Sequence, residues 1–318
     1  MIHQSKTESE SVLTILFIFL SFFSLMCFQD FGINYTYAAA SLNQSVQNSQ
    51  DVVVRHNTLL VNILANNLGN RLNQLGSILE ITAKLPQIRN VSSAHLLNQT
   101  FNTLHGIPQA DIEKRQVAKN IIASNSGLYE IFLLKPNGDE YLYEPYSTPP
   151  QGSTFLNFAF RDYFQGAIRT KDAYLGNVIT SYDPSIREAV IAVPVYSLND
   201  NSTIAGVLAG GIDFNVLNKE LQSLNITSLD DNTRVVYVDS NGQKVADSDV
   251  NKSATPESFA NLNSFKNAVN GQSGSIIDTM GNTNMLVTYK PVKAFQNTFV
   301  VLLMQANNSN INQRGILK

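Results

Sequence analysis

Between Phe158 and Phe214, Arg161 and Asp213 stand out because each opens or closes an otherwise apolar run. Arg161 sits among the aromatics of FAFRDYFQGAIR, and Asp213 closes the run TIAGVLAGGIDF. A guanidinium donates two parallel hydrogen bonds to a carboxylate. A carboxylate at the other end of a pocket accepts from an ammonium group. Tyr163, Phe164 and Tyr182 supply aromatic walls, and an ammonium gains from an aromatic face. The combination suits a free amino acid or a related amine or carboxylate, and a water-poor pocket strengthens each charged contact. The same residues have quieter uses. Arg161 can pair with Asp162, Asp183 or Asp213 and pin a helix to a sheet. An Asp that ends a strand before a helix can be its N-cap.

The elements that must position these residues follow from the pattern around them. Tyr129 to Glu144 reads as a hairpin, EIFLLK and EYLYE about a Pro136-Asn137-Gly138 turn. A helix from Asp162 to Arg169 follows, then strands over Tyr174–Ser181, Val190–Val195 and Gly206–Asp213. The order then repeats. A second hairpin covers Arg234 to Asp247 with its turn at Ser240-Asn241-Gly242, and a helix covers Ser264 to Asn270. Strands over Gly274–Asp278, Met285–Tyr289 and Thr298–Met304 close the second unit. Each unit is a hairpin, a helix and a three-strand meander, a PAS-like sheet. A helix from Asn215 to Leu224 joins the two. The second unit has Lys266 near the position of Arg161 and Gln305 near the end of its last strand, so no matching charged pair is expected there.

Upstream, Leu60, Ile63, Leu64, Leu68, Leu72, Leu75, Ile78 and Leu79 recur at helical spacing over residues 51–85. Pro86 ends the pattern. Such a helix is about 50 Å long. It is either a dimer-forming stalk or a helix packed only on its own domain. A more polar helical region ends near Asn125. His95 and His105 lie in it without a third ligand nearby and read as surface residues rather than a metal pair.

The stretch Arg161-Asp162-Tyr163-Phe164, with Tyr174–Ser181, Val190–Val195 and Gly206–Phe214, resembles the ligand-binding half of a double Cache domain. These are the extracytoplasmic sensor modules of chemoreceptors and sensor kinases. The amino-acid-binding version of the family has an Arg, a Trp two residues on, a Tyr three on, and an Asp closing a later strand. Arg161 and Asp213 match; Tyr163 stands in the Trp position and Phe164 in the Tyr position. Phe155 and Leu156 lie where the family has a Tyr upstream of the Arg, and Ile179 and Ser181 replace a Tyr and an Asp. The resemblance covers roughly residues 50–306. It implies an α+β fold: an N-terminal membrane helix and long stalk helix, then two PAS-like antiparallel-sheet subdomains in tandem. The expected divisions are a membrane anchor or signal segment over 1–40, the long helix over 41–88 and a membrane-distal subdomain over 89–224. A membrane-proximal subdomain over 225–306 and a polar tail over 307–318 complete them. It implies a ligand-free second unit and a site made by Arg161, Tyr163, Phe164, Tyr182 and Asp213.

Val12 to Phe28 is an apolar run just long enough to cross a bilayer. It is an uncleaved anchor or a cleaved signal, since Ala38-Ala39-Ala40 offers small residues to a peptidase. Either way the remainder is exported. The one cysteine, Cys27, lies inside the run, so the exported part has no disulfide. Asn-x-Ser/Thr sequons at Asn34, Asn43, Asn90, Asn98, Asn201, Asn225, Asn251 and Asn307 fit an extracellular surface. A net charge of −3 without any basic run points away from nucleic acid. No nucleophile elbow, zinc-protease motif or phosphate loop is present, so neither an enzyme nor a cofactor is expected. With no second apolar run after Ala306, signalling would need a separate protein, beside a possible homodimer through residues 51–85. The leading expectation is a membrane-anchored small-molecule sensor. The alternative is a structural or adhesive surface protein that keeps the fold without a ligand.

Overall fold

The computed structural model describes residues 51–90, 112–125, 127–146, 156–224 and 233–306. The chain forms two units, Met1–His56 and Asn57–Lys318. Of the first, residues 51–56 are described and helical. The second holds all the strands among the described residues, in two five-stranded sheets and one two-stranded sheet.

Helical backbone runs over residues 51–83 (α1), and the expected apolar stripe is its buried face. Leu64, Leu68, Leu72, Leu75 and Leu79 are all at most 2% exposed. They lie in one core with the inner faces of two five-stranded sheets. Gly76 permits the closest approach, since a Cβ there would sit 2.0 Å from the Phe295 ring. One turn further, Leu79 reaches Gly210 of the other sheet. The helix is therefore the spine on which both sheets pack, and the stripe is consumed inside the chain. Pro86 starts a new turn, α2 (Pro86–Arg89), at a position where its missing N–H costs nothing.

The first sheet is built from β1 (Leu128–Leu134), β2 (Glu140–Glu144), β3 (Tyr174–Leu175), β6 (Val190–Tyr196) and β7 (Ile204–Ile212). The second takes β8 (Arg234–Val238), β9 (Lys244–Asp247), β10 (Gly274–Met280), β11 (Thr283–Ala294) and β12 (Asn297–Ala306). The orders are β2-β1-β7-β6-β3 and β9-β8-β12-β11-β10, the same topology used twice, with antiparallel pairing throughout. The remaining helices are α3 (Ile112–Ser124), α4 (Asp162–Thr170), α5 (Phe214–Ser223) and α6 (Asn263–Val269). α4 packs on the outer face of the first sheet and α6 on that of the second.

One expected strand is not continuous. Over Tyr174–Ser181 the chain pairs only at β3, leaves the sheet, and pairs again at β4 (Ile179–Thr180) with β5 (Arg187–Glu188). The interruption has a cause: Asn177 N–H donates to Asp162 Oδ2 (2.9 Å) and Val178 N–H to Asp239 Oδ2 (2.8 Å) instead of to a strand. Among the described residues no helix is long and apolar enough to cross a membrane. The Val12–Phe28 run lies outside the described residues, as do His95, His105 and the tail.

Candidate functional site

Strand alternation decides which side chains face α4. Phe132 and Leu134 from β1, Val190 and Ala192 from β6, and Val207 and Ala209 from β7 form a cluster with Tyr163, Phe164 and Ala167 of α4. Tyr163 and Phe164 are 2% and 6% exposed. The Tyr163 ring meets Phe132 edge-on, 6.0 Å between centroids.

Arg161 stands at the N-terminal end of α4 in extended conformation, outside the helical turn. Its Nη2 donates to Thr180 O (3.0 Å), and the guanidinium lies 4.9 Å from the Phe160 ring centroid. Its Nε is buried without a partner, and it forms no ion pair among the described residues. Pairing with Asp162, Asp183 or Asp213 is therefore not what holds it. Asp162 instead accepts from Asn177, and Asp183 accepts from Ser185.

Asp213 is the N-cap of α5, with Oδ1 accepting from Asn215 N–H at 2.9 Å. Tyr182 is 60% exposed between β4 and β5. The structure thus brings Arg161, Tyr163 and Phe164 to one face, spends the Asp213 carboxylate on a helix end, and leaves Tyr182 in solvent.

Beyond Phe132 the same face turns acidic. Glu130 follows the alternation of β1. A register shift between Leu128 and Glu130 lets Tyr129 reach it too, and the Tyr129 hydroxyl donates to Glu188 Oε2 at 2.5 Å. Glu188 is 3% exposed. Gly211 of β7 makes room for the group: a Cβ there would lie 2.7 Å from Glu188 Oε2 and 2.9 Å from Glu130 Cγ. Burial, then the neighbouring Glu188 charge and hydrogen bond, push the Glu130 carboxyl well above the ordinary range. Glu140, 6% exposed and paired in register with Leu134, is pushed up to about 8 by burial. Burial and the nearby carboxylates also raise Tyr129 and Tyr163, so both stay neutral. Sequence reading passed over these carboxyls. The signal was available: Glu130 and Glu188 each sit two residues from an apolar side chain of the same face.

The corresponding face of the second sheet is packed with Phe259, Phe265, Val287, Tyr289 and Met304. Lys266 is exposed on α6, and Gln305 accepts from Asn57. On the inner side of the first sheet a cavity of about 300 Å³ lies between α2 and β6. Arg89 in it is already bound to the Tyr196 and Ser197 carbonyls and to Asn201.

A family model described as Cache domain matches residues 38–313. Three solved structures are similar in fold. The ligand-binding domain of the Pseudomonas aeruginosa PAO1 amino-acid chemoreceptor PctC, in complex with GABA, is 18% identical with a TM-score of 0.54, over 80% of this chain and 99% of that one. That of the Pseudomonas fluorescens chemoreceptor CtaA, in complex with L-isoleucine, is 14% identical with a TM-score of 0.52, over 81% and 94%. The periplasmic sensory domain of the Campylobacter jejuni chemoreceptor Tlp1 is 12% identical with a TM-score of 0.55, over 82% and 97%. No curated protein matches.

Proposed function

We propose that this chain, which belongs to the Cache domain family, is an extracytoplasmic sensor that binds a small amine- or carboxylate-bearing molecule, such as an amino acid, on the outer face of its first sheet. Arg161 carries the reading. A half-buried guanidinium with an unpartnered Nε and no ion pair among the described residues is a cation waiting for a carboxylate. The similar sensor domains complexed with GABA and L-isoleucine support the ligand class. Domains of this family bind ligands rather than transform them, so no catalytic step is assigned. The apolar run at 12–28 would hold the chain at a membrane, with residues 41–318 outside and the first sheet as the distal subdomain. Two copies pairing along α1 would meet through Leu59 and Ile63, which are exposed, since the buried leucines serve the chain's own core.

A second reading has its own observation. Tyr163 and Phe164 are buried in the cluster that would be the pocket, and Ile179 packs against it. A face filled by its own aromatics suits a structural surface protein. A thermal-shift screen of the purified protein against amino acids, amines and organic acids separates the two. Stabilisation by at least one compound at millimolar concentration is expected; a flat response across the whole panel would favour the structural reading.

A further inference from the structure

Glu130, half-buried, and Glu188, buried, are an acidic pair that forms no salt bridge among the described residues. Arg161 forms no ion pair, and Arg187 on β5 lies close enough to Asp239 to feel that charge. The titratable groups close to the pair are Tyr129 on β1, Glu140 on β2 and Tyr163 on α4, and Arg161 is close to Tyr163. Three carboxyls gathered on one face would be repelled and desolvated together if all were ionised.

Two observations outside the pair point to an absent ligand. The Glu140 carboxyl, 6% exposed, accepts no hydrogen bond among the described residues. The Arg161 Nε is also buried and unpartnered. Buried polar groups are ordinarily satisfied. Here a nearly buried carboxyl and a buried guanidinium nitrogen both lack a hydrogen-bond partner among the described residues. A metal ion is the poorer fit, because among the described residues no three His, Cys, Asp or Glu side chains, these carboxyls included, come close enough together to hold one.

We propose that Glu130 and Glu188, oriented by Tyr129, form the subsite for a ligand ammonium group, and that an amine entering it displaces a proton held between the two carboxyls. This rests on the sensor reading of the same face and deepens it. In the empty site Glu130 holds the proton and shares a hydrogen bond with Glu188. When R–NH3+ docks, the two carboxylates accept from its N–H groups, and the displaced proton leaves to solvent. No covalent bond changes. Asp213, occupied as a helix cap, takes no part, and Arg161 receives the carboxylate of a ligand that has one.

Isothermal titration calorimetry of the full protein near pH 7, in phosphate and in Tris, tests this. The probes are GABA, L-isoleucine, 1,4-diaminobutane and the amine-free succinate. At least one amine should bind and release about one proton, read as a heat that differs between buffers. Glu188→Gln should weaken amine binding at least tenfold, and Glu130→Gln should abolish the buffer difference. Both are isosteric, and circular dichroism checks their folding; Tyr129→Phe, which keeps the ring, should give a smaller loss. Amine binding without proton release, or binding unaffected by Glu188→Gln, would overturn the inference while leaving the sensor reading intact. So would binding by succinate alone. No binding by any probe in calorimetry would overturn the ammonium subsite, while stabilisation by some other compound in the wider thermal-shift screen would preserve the sensor.

Discussion

Replacing Asp213 by Asn separates two roles at one position. Asn caps a helix as well as Asp does, so a capping role predicts a stability change of less than about 0.5 kcal/mol, whereas Asp213→Ala should cost about 1 kcal/mol. An ammonium-binding role would instead make Asp213→Asn lose ligand affinity; the Asn215 hydrogen bond predicts that it will not. Arg161→Ala should behave in the opposite way. Its folded-state partners are one carbonyl and an exposed Phe160 ring, so the unliganded protein should lose only about 1 kcal/mol. Affinity for a carboxylate-bearing probe such as GABA should fall about a hundredfold, or roughly 2–4 kcal/mol. Denaturant titration and calorimetry on the same variant decide it; a large stability loss with unchanged binding would make Arg161 structural. Arg161 was legible in the sequence because a lone cation among aromatics is conspicuous. Glu130 and Glu188 carried only the alternation as a signal, and a lone carboxyl in a strand reads as a surface residue until the sheet shows what faces it.

The segment from Leu175 to Thr180 is the element that ties the candidate site to the second sheet. Asp162, next to Arg161, holds Asn177, while Thr180 O receives the Arg161 guanidinium. The same few residues are gripped from the other side. Val178 N–H donates to the fully buried Asp239, Ser240 Oγ donates to Asn177 Oδ1 (2.5 Å), and Asn297 Nδ2 donates to Leu175 O (3.0 Å). A ligand that moves Arg161 or α4 would therefore act on the hairpin turn of the second sheet through this segment. Asn177→Ala removes its side-chain bonds to Asp162, Ser240 and Asn297 and should cost about 1–3 kcal/mol. The sharper readout is hydrogen exchange at residues 239–243. Ligand should change their protection in the parent protein and leave it unchanged in the variant. An equal response in both would show that coupling runs elsewhere. Hairpins, helices and the repeat were readable from turn residues and alternation, since those signals are local. The break after Gly176 was not, because beside Asp162 it depends on Asp239, Ser240 and Asn297, which are 60 or more residues away in sequence.

At the scale of the whole molecule, the buried carboxyls should shape how stability varies with pH. Glu140 is pushed up to about 8 by burial, and burial together with Glu188 raises Glu130. Burial also raises Asp239, partly offset by the backbone N–H groups it accepts from. At Glu130 and Glu140 the folded state holds a proton that the unfolded chain has already released. Between an ordinary carboxyl pKa and about 8 the unfolded state therefore binds fewer protons, and unfolding free energy falls as pH rises. One such group contributes a slope of up to about 1.4 kcal/mol per pH unit. Asp247 acts in the opposite sense at lower pH. Burial opposes its ionisation, but hydrogen bonds from Arg234, Asp249 N–H and Lys244 outweigh that and hold it below the usual range. Its contribution is lost only as pH falls through that lowered value. The unliganded protein should thus be most stable near pH 5 and lose stability steadily toward pH 8, with a shallower decline in Glu140→Gln. Denaturant midpoints at pH 5, 6.5 and 8 measure this. A protein that grows more stable toward pH 8 would mean that these carboxyls are ionised in the fold, and the pair at Glu130 and Glu188 would then have no proton for an amine to displace.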